Sequence, residues 1–338
     1  MPLARSWCSS SATFLGISFS PILLPEHGLA WSVHMHRTLS LIHGFGLIPS
    51  FASGDSVALL KWCRTAWEGG CRIIELDGTQ ITRDCIGKLR RELPNMAFGV
   101  RGITLPQQVT AFGNVSYLSL ANRDTALVAL CKSTGSLVFL ECSSHAALDA
   151  AGRLAPDAVM FPFKPWETVP GYPQSLCGKY PHLRFVFRGK LSDTEVSTCL
   201  TSPNVLACAV TLENGVAAEE VRRLLHRIGG MKLLHVGIYA GDDAEPLAGS
   251  LAAITQGKQV NMSRSLFIGE GLELMKRKAS CKGHIAYGTF SVARQCSRLE
   301  VEGFELDYGS ARYDADGTLS FVYLKGEWGG FRIHLQKY

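Results

Sequence analysis

Eight short apolar runs separated by helical patterns, then a change to longer alternating strands, predict an α/β chain: a (β/α)8 TIM barrel followed by a smaller α+β domain of two βαβββ repeats. The break falls at Gly229-Gly230, which divides a barrel over residues 35–229 from a second domain over residues 230–338.

Taken in order, the predicted strands are Gly46 to Phe51, Cys71 to Leu76, Met96 to Gly102 and Val115 to Ala121, then Ser136 to Cys142, Ala158 to Phe163, Arg184 to Lys190 and Val205 to Thr211. Each is apolar over most of its length, as strands of a parallel sheet buried on both faces must be. The helical patterns between them include Ser56 to Glu68, with Val57, Leu60, Cys63 and Trp67 at helical spacing, Asp84 to Leu93, Asn122 to Ser133, His145 to Leu154 and Ala217 to Ile228. Asp55 and Ser192 stand where N-caps belong.

Composition narrows the function classes. The chain has 338 residues, 46% hydrophobic and 19% charged, and its net charge of +5 is spread among interspersed acids and bases, so a phosphate-tracking face and a nucleic-acid partner are not expected. Eleven cysteines, scattered from Cys8 to Cys296 with no Cys-x-x-Cys pair, argue against a disulfide framework and a thiolate zinc site. A reducing, cytoplasmic location follows. Ala12 to Leu24 is apolar but broken by Ser and Pro and shorter than the roughly 20 residues of a membrane span, so no membrane segment is expected. With Arg5 before it and Gly28-Leu29-Ala30 after it, that segment reads as a weak signal peptide, a disordered tail, or residues ahead of a start at Met35. Residues 1–34 are set outside the fold.

A (β/α)8 barrel carries its active site at the C-terminal ends of its strands. The polar residues there are Glu75, Arg101, Glu141, Lys164, Arg188 and Lys190. Four cations and two carboxylates suit a small anionic substrate; the alternative is a set of mutually paired, solvated charges.

The second domain divides into Met231 to Lys276 and Gly283 to Tyr338, each opening with a strand that carries a His, passing through a helix (Asp243 to Thr255, Val292 to Val301) and closing with alternating strands. In Phe331-Arg332-Ile333-His334-Leu335-Gln336, alternation sets His334 on the polar face; Glu273 lies opposite Leu272 and Leu274 in the last strand of the first half, and His235 and His284 occupy the first strand of each half. Three imidazoles and one carboxylate are ligands for zinc, iron, nickel or manganese, and open coordination positions polarise a carbonyl or enolate oxygen. The rival is a metal-free cup that has kept these residues.

Leu272-Glu273-Leu274, Gly283-His284-Ile285-Ala286-Tyr287-Gly288 and Gly330-Phe331-Arg332-Ile333-His334 make residues 231–338 resemble the glyoxalase/bleomycin-resistance, or vicinal oxygen chelate, superfamily. The resemblance implies metal ligands on the first and last strand of each half, which fall on His235, Glu273, His284 and His334. The last position is commonly Glu in that superfamily, which leaves metal and reaction open.

Gly69-Gly70-Cys71-Arg72-Ile73-Ile74-Glu75, Leu105-Pro106-Gln107-Gln108 and Phe161-Pro162 make residues 36–229 resemble the 2-keto-3-deoxy-6-phosphogluconate and 4-hydroxy-2-oxoglutarate aldolases, some bacterial members of which look similarly fused to a glyoxalase-like domain. These are class I aldolases, in which a strand-six lysine of a Lys-x-Phe-Pro motif forms an imine with the substrate ketone and a strand-two Glu moves protons. Glu75 matches the Glu. Aligning Phe161-Pro162 puts Val159 at the lysine position, and an isopropyl group forms no imine. The Arg expected four residues after the Glu is Thr79, and the Gly-Ala-Gly-Thr turn is Gly99-Val100-Arg101-Gly102. The phosphate loops become Arg188-Gly189-Lys190 and Ala209-Val210-Thr211, where charge replaces close backbone approach.

Three readings follow. In the first, the barrel binds a small 2-oxo-acid or sugar-acid anion through Arg101, Glu141, Arg188, Gly189 and Lys190, has lost Schiff-base chemistry and needs no cofactor, while the second domain holds a divalent metal. In the second, a relocated lysine such as Lys164 keeps retro-aldol cleavage to pyruvate alive. The third is a non-enzymatic metabolite sensor or scaffold. The aldolase resemblance implies a homotrimer.

Overall fold

The computed structural model describes residues 37–51, 55–163, 172–211 and 218–338. Residues 1–34 and Lys164 therefore lie outside the described residues. The chain begins with α1 (Arg37–Phe45), then alternates β1 (Leu47–Phe51), α2 (Ser56–Glu68), β2 (Ile73–Asp77), α3 (Arg83–Glu92), β3 (Ala97–Ile103), α4 (Pro106–Phe112), β4 (Tyr117–Leu120), α5 (Thr125–Ser133), β5 (Leu137–Glu141), α6 (His145–Leu154), β6 (Ala158–Pro162), α7 (Gln174–Lys179), β7 (Phe185–Gly189), α8 (Asp193–Cys199), β8 (Val205–Thr211) and α9 (Ala218–Gly229). The eight strands close in sequence order, β1 pairing with β8, all parallel.

Local chemistry sets the element boundaries. The Asp55 carboxylate accepts from Val57 N at 2.9 Å to start α2, and Ser192 and Glu195 form a reciprocal capping box at α8. Strand alternation then sorts the core into two layers. Outward residues such as Val100, Leu118, Val159 and Phe187 pack against the helices; inward ones such as Ile73, Tyr117, Phe139 and Met160 fill the barrel. α1 plugs the N-terminal end of the barrel, where Leu39, Leu41, Ile42 and Phe45 join the inward layer.

The second domain comprises β9 (Lys232–Tyr239), α10 (Ala244–Thr255), β10 (Gln259–Asn261), β11 (Ser265–Ile268) and β12 (Leu272–Met275), then β13 (Gly283–Thr289), α11 (Val292–Val301), β14 (Leu306–Tyr313), β15 (Leu319–Leu324) and β16 (Phe331–Lys337). This is βαβββ twice. The halves merge into one sheet of order β10-β11-β12-β9-β13-β16-β15-β14, with β9 and β13 antiparallel at its centre. Ala244 and Ala248 of α10 pack on Leu266, Ile268 and Leu274, and Val292, Cys296 and Leu299 of α11 pack on Val322, Leu324 and Leu335. Both helices cover the same face. The other face carries the four predicted ligands.

The domains meet at the plugged end of the barrel, where α11 lies on α1. Arg294, 3% exposed, donates to the carbonyls of His43 (2.8 Å), Leu206 (2.8 Å) and Leu200 (3.3 Å), and also to that of Val205. Burial pulls its guanidinium down to about 10. His43 Nδ1 lies 3.1 Å from Ser297 Oγ, so the junction is polar at its centre and fully enclosed. Among the described residues no helix is long and apolar enough to cross a membrane.

Candidate metal centre and barrel mouth

The inward residues nearest the C-terminal ends of the barrel strands form one polar cluster. Glu75 is fully buried: its Oε1 accepts from the Tyr117 hydroxyl at 3.1 Å, its Oε2 from Ser50 Oγ at 3.0 Å, and Arg188 Nη2 lies 2.8 Å from both oxygens. Arg188 Nη1 reaches Glu141 Oε1 at 3.4 Å, and the same oxygen accepts from Ser119 Oγ at 3.1 Å. Burial works against the Arg188 charge, but the Glu75 and Glu141 carboxylates hold its pKa above the ordinary value. Burial, reinforced by Glu75, pushes the Tyr117 hydroxyl well up, so it stays protonated as a donor. The Tyr117 ring stacks on Phe139 at 4.4 Å and passes over Gly99, where an added Cβ would fall 2.0 Å from a ring carbon. Only glycine fits on β3 at that point.

Arg101 is likewise engaged, donating to Asp77 Oδ2 at 2.6 Å. Glu75, Glu141 and Arg188 thus come together in one cluster; Arg101 sits apart on Asp77, and Lys190 is exposed beyond β7. Gly189 ends β7 beside Phe163 and Leu191. Arg101 Nε and Arg188 Nε are buried with no hydrogen-bond partner among the described residues.

On β6, alternation turns Val159 outward, into the helix-facing layer. Ala158 and Met160 of β6 point inward, and the Met160 sulfur lies against Ser119 Oγ and Arg188 Nη2.

In the second domain, sheet register brings the predicted ligands together in two rows. One row runs Glu273, Gly237, His284, Arg332 across β12, β9, β13 and β16; the other runs His235, Ala286, His334, Tyr323 across β9, β13, β16 and β15. Each half's first-strand histidine is followed two residues later by a small residue, Gly237 or Ala286, and that residue faces the other half's histidine. A Cβ at Gly237 would sit 2.0 Å from His284 Cε1, so the ring lies directly on the β9 backbone.

The donor atoms converge. His235 Nε2 and His284 Nε2 are 3.1 Å apart, and Glu273 Oε2 lies 3.3 and 3.0 Å from them. One ring nitrogen of each of His235, His284 and His334 falls within 4.8 Å of the others. Burial acts to raise the Glu273 pKa, but hydrogen bonds from His235, His284 and Ser265 outweigh it and hold the carboxyl well below its usual range. Burial, with His284 and His235 beside it, brings His334 down to about 3, so it stands as a neutral imidazole with a free lone pair. His284 Nδ1 and His334 Nδ1 are buried without a partner among the described residues.

The structure brings together the four residues singled out in the sequence; the rings that wall them were not foreseen. The Tyr323 and Phe321 rings lie 5.1 and 4.6 Å from the His334 ring, Tyr239 lies 6.1 Å from His284, and Phe267 lies 5.7 Å from His235. The His-x-Gly and His-x-Ala spacing at His235 and His284 was the signal for the close packing. In the barrel, Ser50, Tyr117 and Ser119 were missed; they are polar groups set among the apolar residues of β1 and β4.

No protein-family model matches the chain, and no curated protein matches it. Among solved structures it is similar to the 2-keto-3-deoxy-6-phosphogluconate aldolase of Zymomonas mobilis ZM4 with 3-phosphoglycerate, at 15% identity and a TM-score of 0.48, over 56% of this chain and 94% of that one. It is also similar to the KDPG aldolase of Legionella pneumophila with pyruvate captured as a covalent carbinolamine, at 14% identity and a TM-score of 0.48, over 56% and 97%. A third is the thiamine phosphate pyrophosphorylase of Pyrococcus furiosus, at 16% identity and a TM-score of 0.42, over 56% and 100%.

Proposed function

We propose that the chain is a metal-dependent protein whose working site is the cup of His235, Glu273, His284 and His334 in a glyoxalase-like second domain. The observation that carries this reading is the set of 3.0–3.3 Å separations among His235 Nε2, His284 Nε2 and Glu273 Oε2. A tetrahedral N/O set with bonds of about 2.0–2.1 Å spaces its donors about 3.3 Å apart. Without a cation, two imidazole nitrogens aimed at one carboxylate oxygen and at each other cannot all be satisfied. Neutral His334 and ionised Glu273 are already in the protonation states a metal needs. Zinc, iron, nickel or manganese bound there supplies a Lewis acid for a carbonyl or enolate oxygen. The chain's own part is to fix four donors from four strands, and to line the cup with Tyr239, Phe321 and Tyr323 so that bulk water is partly excluded.

For the barrel we infer a KDPG/KHG-aldolase-like module that binds a small 2-oxo-acid or sugar-acid anion and has no imine chemistry. Met160 at an inward β6 position, and the tying of Glu75 to Arg188, Tyr117 and Ser50, support the loss. The unpartnered Nε atoms of Arg101 and Arg188 support the retained affinity for an anion. The ten described cysteines are all free, in keeping with a reducing cytoplasm.

Two measurements test the reading. Purified full-length chain takes up one equivalent of zinc, iron, nickel or manganese, and the His235→Ala/His284→Ala chain takes up none; a parent chain that stays metal-free contradicts the cup. Borohydride reduction with pyruvate gives no covalent adduct; an adduct on Lys164 would reinstate an active aldolase. A pyruvate-induced thermal shift without turnover identifies the barrel as a sensor.

A further inference from the structure

The cup's rim carries three guanidinium groups that metal binding leaves unexplained. Arg332 continues the row that holds Glu273 and His284, stacks 4.2 Å over the Tyr323 ring and donates to Asp307 Oδ2 at 3.1 Å. Arg277 follows β12 and donates to the Tyr239 hydroxyl at 3.3 Å, its guanidinium 5.0 Å from that ring's centroid. Arg312 stacks 4.5 Å over Phe321, the ring that itself lies 4.6 Å from His334. Neither Arg277 nor Arg312 has a carboxylate partner among the described residues.

Three of the aromatic rings in contact with the histidines, Tyr239, Phe321 and Tyr323, thus each carry a guanidinium. Three neutral imidazoles, one carboxylate and a divalent cation leave the bottom of the cup with net positive charge, and the rim adds to it. A neutral substrate would gain nothing from this arrangement, whereas an anion held above the histidines is attracted by floor and rim together. Arg332 is the best-prepared receiver. Its side chain is 35% exposed, and its plane is fixed by the Tyr323 stack and the Asp307 bond. Preorganisation of that kind favours a planar, bidentate partner.

We propose that the cup takes a small organic carboxylate, oriented by Arg332 with help from Arg277, and that Arg332 is its specificity-determining residue. This rests on the metal reading above.

The test uses full-length chain loaded with Co2+, whose visible absorption reports on the cup and not on the barrel. Acetate, malonate and benzoate are each titrated against the matching amide. At least one acid perturbs the spectrum at a concentration about 10- to 100-fold below that of its amide. Arg332→Met raises the half-effect concentration of that acid about 10-fold or more, and Arg332→Lys recovers part of the loss. Melting temperature and Co2+ stoichiometry show that the variants are folded and loaded. If Co2+ loads but acids and amides act alike, or Arg332→Met leaves the acid titration unchanged, the proposal is overturned while the metal reading stands. If no Co2+ loads, both fall.

Discussion

Gly237→Ala is the smallest change that reaches the proposed metal centre without touching a ligand. The added Cβ would stand 2.0 Å from His284 Cε1, 2.4 Å from Nε2 and 2.5 Å from Nδ1, where ordinary contact begins at 3.4 Å. The ring must retreat by about 1.4 Å, or β9 and β13 must separate. A metal site tolerates displacements of about 0.2 Å in its ligands. Loss of one properly placed imidazole lowers zinc affinity by about 100-fold or more, judging by the effect of disturbing a ligand's supporting groups. The assay is competition for Zn2+ against a chromophoric chelator on full-length chain. Gly271→Ala serves as the control, since its Cβ meets nothing within 4 Å in the same domain. If Gly237→Ala binds Zn2+ within threefold of the parent chain, the His284 ring does not hold the metal as described.

Three further outcomes follow from the same contacts. Arg294→Met strands four buried carbonyls at the domain junction and should lower stability by about 3–5 kcal/mol, seen as a lower urea midpoint; a change below about 1 kcal/mol would show that Arg294 does not hold the junction. Glu75→Gln leaves the Arg188 cation without its main partner inside the barrel and should cost about 3 kcal/mol or more by the same measurement, whereas Lys190→Ala, on an exposed residue, should be neutral. For the metal-free chain, His334 and Glu273 are both held below their unfolded pKa values. Their contribution is therefore present above about pH 6.5 and about pH 4.3 respectively and is lost as pH falls. The urea midpoint should drop from pH 7 to pH 4, and drop less in His334→Phe; a midpoint that rises toward acid would reverse the sign.

Much of this was legible in the sequence because burial writes itself into periodicity. Eight apolar runs gave eight barrel strands, and period-two alternation in Phe331 to Gln336 put His334 on the face opposite Leu335. The helix α1 was not legible. Its apolar residues Leu39, Leu41, Ile42 and Phe45 form too short a run to show a helical period, and their partners are strand residues distant in sequence. The facing of Val159 was not legible for a related reason. A Phe-Pro motif fixes sequence position but not which face of the strand is inward, and a shift of one residue exchanges Val159 for Met160. The charge pairing at the barrel mouth was unreadable because Glu75 and Arg188 meet across the barrel, 113 residues apart in the chain. In the second domain the duplication made distance legible: matching positions in the two halves converge, so the meeting of His235, Glu273, His284 and His334 could be foreseen from the sequence.

The cup is tested most directly by X-ray absorption at the zinc edge on Zn2+-loaded full-length chain. The predicted result is a first shell of nitrogen and oxygen at about 2.0–2.1 Å with outer-shell scattering from three imidazoles. A sulfur shell near 2.3 Å, which would place the metal on cysteines, or a light-atom shell without imidazole scattering, would contradict it.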